Sequence, residues 1–128
     1  MTYLADTPAV AHSPLIEALA AIVGPAHVLV EEAQRRFFSV DLAAEGALVA
    51  CVAQPGSAEE LSRVVAHSTG AGYAVIPRGG GFSYTGGYRP GEERTVMVDL
   101  RRMNRIVEIN AQDLYVTVEC GCTWRELY

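Results

Sequence analysis

The chain has 128 residues, half of them hydrophobic, and a net charge of −5. That is enough for one domain with a core, and too apolar for a disordered segment. No apolar run approaches the ~20 residues of a membrane span, and no basic stretch is dense enough to track a nucleic-acid backbone.

The amino terminus, Met1 to Asp6, has neither the basic start nor the apolar centre of a secretion signal, so a cytoplasmic location is expected. Ser13-Pro14 opens a helix: serine can cap it, proline suits its first turn, and Leu15, Leu19 and Ile22 share one face. Gly24-Pro25 ends it. Glu31 to Arg36 suggests a short second helix, with Phe37, Phe38, Val40 and Leu42 expected in the core. Leu48 to Ala53 is a continuous apolar run, as in a strand buried on both faces. Pro55-Gly56 turns the chain into Ser57-Ala58-Glu59-Glu60, a capping-box spacing, and Leu61, Val64 and Val65 form the expected buried stripe. Gly70 or Gly72 stops that helix, and Tyr73 to Pro77 reads as the next strand. A strand–helix–strand unit favours a parallel pair.

The ten residues Arg78 to Gly87 follow that strand, and half of them are glycine. Glycine lets backbone amides approach a ligand without an intervening Cβ, and successive N–H groups can form an anion-binding nest. Loops at the carboxyl ends of strands are where α/β sheets bind ligands. The chain has no lysine; all ten basic residues are arginine. A Walker phosphate loop and a pyridoxal Schiff base are thereby excluded. Beyond the loop, Thr95 to Leu100 reads as a strand. Arg105 to Ile109 and Tyr115 to Glu119 read as an antiparallel hairpin with a turn at Asn110 to Asp113. The fold class is α+β: a small parallel layer with helices, then an antiparallel sheet. Thr123 to Glu126 is a second capping-box pattern, starting a helix at Trp124. The chain stops barely a turn later, so it is expected to be part of something longer.

The remaining polar residues read as structural. Cys51, Cys120 and Cys122 are odd in number, and His12, His27 and His67 are too scattered to complete a metal site with them. Arg101, Arg102 and Arg105 suit a solvated face. Asp99 and Glu119 lie in strand contexts that favour structural or surface roles over catalysis.

Three segments in order resemble the FAD-linked oxidases of the vanillyl-alcohol oxidase / p-cresol methylhydroxylase superfamily. They are Pro55 to Leu61 after an apolar strand; Pro77 to Gly87, similar to the family's pyrophosphate loop; and Val98 to Ile106 with Val118 to Leu127. Residues 1–47 are expected to form an amino-terminal helical segment, and the resemblance begins after it. Residues 48–128 would be the first part of a p-cresol methylhydroxylase-type FAD-binding domain, incomplete at its carboxyl side and without the substrate domain. It implies FAD as cofactor, with amides from Gly79, Gly80, Gly81, Phe82 and Ser83 on the pyrophosphate, and the Ser83 hydroxyl as a further donor. Arg78 would add charge or make a fold-stabilising ion pair. Gly86 and Gly87 would pass close to the flavin end, and Gly121 would pack backbone against the cofactor. Phe82 stands where relatives with covalently attached flavin carry histidine, so non-covalent FAD is expected. The loop is closest in style to the glycolate, D-lactate and D-2-hydroxyglutarate dehydrogenase branch, although Phe82-Ser83-Tyr84 also echoes the berberine-bridge branch.

The resemblance further implies an oxidoreductase that passes a hydride from a hydroxyl-bearing small molecule, such as a 2-hydroxy acid, to flavin. The family's catalytic residues lie mainly in the later substrate domain, so none is assigned here, and these 128 residues alone are expected to be inactive. The alternatives are a non-catalytic FAD- or phosphate-binding module and a sugar or alcohol oxidase of the same superfamily.

Overall fold

The computed structural model describes residues 13–128; Met1 to Asp6 and His12, read above, lie outside them. Helix α1 spans Pro14–Val23, capped by Ser13, whose hydroxyl accepts the Ile16 N–H at 3.3 Å. It ends at Gly24, whose φ of +90° only glycine adopts without strain. A 3₁₀ turn, Pro25–His27, leads into strand β1, Val28–Leu29. Helix α2 spans Glu32–Phe38 and strand β2 spans Cys51–Ala53. Helix α3 runs Ala58–Gly70, and strand β3 runs Ala74–Arg78. Strand β4 is Thr95–Asp99, the hairpin is β5 (Ile106–Asn110) and β6 (Tyr115–Val118), and α4 is Trp124–Leu127.

The main sheet has the order β1-β2-β4-β3. Strands β2, β4 and β3 are parallel, and β1 joins β2 antiparallel. This corrects the expected pairing of the two strands around α3: β4 inserts between them. The reason is burial. All five residues of β4 are buried, so it takes the centre, while β3 contains Pro77, which lacks a ladder donor and suits an edge strand. Strand β1 had no sequence signal, being two residues long.

Alternate residues of the central strands face opposite layers. Cys51, Ala53, Val96 and Val98 pack with Leu15, Leu19 and Ile22 of α1 and Val64 of α3. Val52 and Met97 face the other way and meet Phe38 of α2 and Val49. Burial pushes the Cys51 thiol up to about 12, which makes it an inert core residue.

Two expected core assignments fail. Val65 is exposed, and the inward stripe of α3 is Val64 and Ser68 with Leu61 partly buried. Phe37, Val40 and Leu42 are also exposed. The short α2 turns only Arg35 and Phe38, one turn apart, inward. Phe37 therefore lies off that face.

Because β3 and β4 are adjacent and parallel, the chain between them must travel back along the sheet. Residues 79–94 do this without a helix or strand. The glycine loop is the first half of that crossover. Its return half is pinned where Ala47 N–H donates to the Pro90 carbonyl at 2.9 Å and Thr95 Oγ1 donates to the Glu92 carbonyl at 2.7 Å.

The arginines read as a solvated face are exposed, yet each holds something. Arg101 binds buried Asp99 through Nε–Oδ1 and Nη2–Oδ2, both 2.9 Å. Arg102 donates to the Gln54 carbonyl, and Arg105 pairs with Glu119 at 2.7 Å. Asp99 also accepts from Gln54 Nε2 at 2.8 Å. Burial raises its pKa, but the combined bonds from Arg101 and Gln54 outweigh this and hold the carboxyl below its ordinary value. The hairpin reaches the sheet at Gly121, whose N–H donates to the Met103 carbonyl at 2.8 Å. A Cβ at Gly121 would fall 1.9 Å from the Leu100 carbonyl oxygen.

Two outcomes follow. Gly121→Ala forces backbone apart and costs about 1–3 kcal/mol, measured by denaturant unfolding. Asp99 contributes stability that is complete above its unfolded pKa of ~3.9 and is lost as pH falls through the lower folded value. Melting curves taken downward from about pH 6 should show that Asp99→Asn lacks this part of the acid destabilisation.

Candidate functional site

The glycine loop leaves the carboxyl end of β3 and lies beside the Cys120–Thr123 corner. A Cβ on Gly79 would be 3.2 Å from the Cys120 carbonyl, and one on Gly80 would be 3.8 Å from Thr123 Cγ2. The structure thus brings the second and third sequence segments together at one edge of the sheet. Gly81 and Gly86 have φ of +76° and +70°, which explains the need for glycine at both.

Inside the loop, Ser83 Oγ accepts the N–H groups of Thr85 and Gly87, both at 3.3 Å. Tyr88, which is buried, donates its hydroxyl to the Gly81 carbonyl at 2.8 Å. Among the described residues, no protein acceptor takes the N–H groups from Gly79 through Tyr84. A run of free amides held on a tied loop is the donor set that a diphosphate requires. These residues fit the pyrophosphate of FAD. The Ser83 hydroxyl stands 3.3 Å from Thr85 Oγ1, and its proton is free to turn toward an anion.

Arg78 does not make the fold-stabilising ion pair, one of the two roles expected for it. No carboxylate of the described residues lies within ion-pair distance. Its guanidinium carbon sits 5.0 Å from the Phe37 ring centroid, 4.8 Å from Phe38 and 5.0 Å from Tyr88. Burial is the main force lowering its pKa from the usual value. Phe37, Val40, Leu42, Arg78, Gly81 and Tyr88 line a cleft of about 540 Å³ beside the loop. Sequence reasoning missed the roles of Phe37 and Tyr88; the signal available was an arginine with no acidic neighbour in sequence.

Phe82 and Tyr84 are both exposed and meet edge to face, with centroids 5.1 Å apart. Gly86 and Gly87 lie at the end of the loop, where Arg89 N–H donates to the Gly86 carbonyl at 3.1 Å. Gly121 is buried against Leu100, so the fold requires glycine there whatever the cofactor does. No helix among the described residues is long and apolar enough to cross a membrane.

Comparison with known proteins agrees with this geometry. Residues 49–128 match the family model described as an FAD binding domain. The 1'-carboxy-chondrochloren decarboxylase of Chondromyces crocatus is 33% identical over 89% of this chain and 22% of its own length. The D-2-hydroxyglutarate dehydrogenase of Xanthomonas citri pv. viticola is 36% identical over 55% of this chain and 15% of its own. The crystal structure of p-cresol methylhydroxylase with substrate bound superposes with a TM-score of 0.77. It is 24% identical, covering 89% of this chain and 23% of that one, and so attests the fold. The chain spans under a quarter of the length of each. With the loop, its free amides and the match over residues 49–128 in agreement, this chain belongs to the FAD-linked oxidase family, and its FAD-binding domain shares the fold of p-cresol methylhydroxylase.

Proposed function

We propose that the chain holds the pyrophosphate of a non-covalently bound FAD within an oxidoreductase that oxidises a hydroxyl-bearing small molecule, a 2-hydroxy acid being the favoured class. The observation that carries the binding half is the run of unpaired amides from Gly79 to Tyr84. Gly79 to Ser83 bind the diphosphate, and Ser83 adds a hydroxyl donor. Gly86 and Gly87 pass near the flavin end, and Gly121 carries the neighbouring corner up to the cofactor. On this reading residues 48–128 are the cofactor-binding part, and residues 1–47 are the helical segment that supports it.

Bound FAD supplies the two-electron acceptor for the substrate hydride. The residues described here bind and orient. Asp99 is committed to Arg101 and Gln54, and Glu119 to Arg105; Asp41, beside Gly86, accepts the Ala43 and Ala44 N–H groups on Oδ1 and leaves Oδ2 unpartnered. On this reading the proton of the substrate hydroxyl goes to a group outside these 128 residues, and the chain alone has no turnover. Similarity to a D-2-hydroxyglutarate dehydrogenase supports the 2-hydroxy-acid class. Phe82, an aromatic hydrocarbon with no nucleophilic atom, supports non-covalent attachment.

Acid precipitation of the FAD-loaded protein tests the attachment: the flavin absorbance should pass into the supernatant, and colour retained in the pellet would overturn the assignment. Gly80→Ala tests the loop. A Cβ there meets only Thr123 Cγ2 at 3.8 Å, so the fold should be kept. FAD affinity should drop at least ~tenfold, because the methyl group stands between the amides and the phosphates. Unchanged affinity by fluorescence titration would remove the loop from the site.

A further inference from the structure

We infer that Arg78 is a positioning residue for the cofactor. Held beneath the glycine loop by the rings of Phe37, Phe38 and Tyr88, it presents an uncompensated positive charge to the diphosphate without touching it. The inference rests on the FAD reading above and extends the site to α2. Phe37 and Phe38 lie outside residues 49–128, the part matched by the family model.

Four observations carry it. The guanidinium lies within about 5 Å of three ring centroids, a distance at which the negative ring faces attract a cation. It presses on the loop backbone, since a Cβ at Gly81 would fall 2.6 Å from Arg78 Nη2. Tyr88 both walls the cage and fixes the Gly81 carbonyl through its hydroxyl at 2.8 Å, so cage and loop move as one. Finally, Nη1 is buried and has no hydrogen-bond partner.

No neighbouring carboxylate of the described residues reaches this cation at ion-pair distance: Asp41, which lines the same cleft, accepts the Ala43 and Ala44 N–H groups. Asp99, the nearest acidic group on the adjoining strand, is taken by Arg101 in a two-pronged ion pair and by Gln54. Arg101 itself sits 5.5 Å from the centroid of the Phe38 ring. A half-buried guanidinium without a carboxylate is costly in a folded chain. Aromatic faces offset part of that cost without cancelling the charge, so the field above Gly81 stays positive. An anion on the loop amides is the group that would complete the balance. Lysine, a point charge with a flexible stem, could keep the sign; the stacked planar geometry belongs to arginine.

The test is FAD binding by the full chain, followed by flavin fluorescence at several salt concentrations. Wild type should bind FAD with an affinity that falls as salt rises. Arg78→Met should bind at least ~tenfold more weakly at low salt, about 1.4 kcal/mol, and with a flatter salt dependence. Arg78→Lys should keep the wild-type slope while losing part of the affinity. A purely structural arginine would lower stability and leave the slope alone, so an unchanged slope in Arg78→Met overturns the inference while the FAD reading stands. If wild type binds neither FAD nor ADP, the FAD reading fails and this inference fails with it. Should Arg78→Met not fold, Phe37→Leu serves instead. It removes a ring that is 60% exposed, and it should weaken FAD about threefold with a flatter slope. Wild-type binding in Phe37→Leu would also overturn the inference.

Discussion

Everything in this molecule is registered on the strand Thr95–Asp99. It is buried along its whole length and parallel to the strands on both sides. Those two facts force the geometry of the site. A parallel neighbour cannot be reached by a tight turn, so the chain leaving Arg78 must loop outward and return. The loop that results is long, and its first half is free to be glycine-rich because the sheet does not need it. The end of the same strand places Leu100 where its carbonyl meets Gly121, which seats the hairpin corner next to the loop. Cofactor loop and corner are thus neighbours because one strand positions both.

The chemistry of anion binding here is shaped by the absence of lysine. On the reading proposed above, oriented amides, arginine and the Ser83 hydroxyl are the means left for meeting a doubly charged phosphate group. The structure shows the amides unpaired from Gly79 to Tyr84 and the arginine held back beneath them. Ser83 Oγ as an acceptor and the Tyr88 hydroxyl as a donor tie the loop to itself, which holds its backbone in place while leaving the Ser83 proton free. Preorganised dipoles need no reorientation on binding, the same economy that makes amide nests effective at low dielectric.

Much of this was readable from residue order, and the failures have a common cause. Ser13 and Ser57 announced α1 and α3 because capping is local: both hydroxyls accept the predicted N–H groups, from Ile16 and Glu60. Glu60 departs from the box only in reaching Gly56 N–H rather than that of Ser57. At the far end, Glu126 accepts from Thr123, as its spacing announced. Asn110 formed the hairpin turn by accepting from Gln112 and Asp113, again a local bond. What sequence missed was non-local. The insertion of β4 between β2 and β3 depends on comparative burial among three strands. The position of Phe37 depends on where a seven-residue helix ends and what it faces. The aromatic surroundings of Arg78 were not legible, because nothing in its own segment reveals rings contributed by α2 and by Tyr88.

That non-local contribution bears on what the amino-terminal segment is for. Residues 49–128 are the part that matches the family model, yet their sheet is not covered by their own side chains alone. One face needs Leu15, Leu19 and Ile22 of α1, and the other needs Phe38 of α2. Leu19 is fully buried and Phe38 nearly so, and both fall outside the matched region. Removing them would expose the central strand that positions the loop. Phe38 has a double position, since one side of its ring environment is the apolar cluster with Val52 and Met97 and the other is the Arg78 guanidinium. A residue that closes the core and also faces the cation couples the two: any repacking of α2 moves the charge under the loop. On the reading proposed above, fold stability and anion affinity in this chain are linked through one aromatic side chain upstream of the cofactor motif.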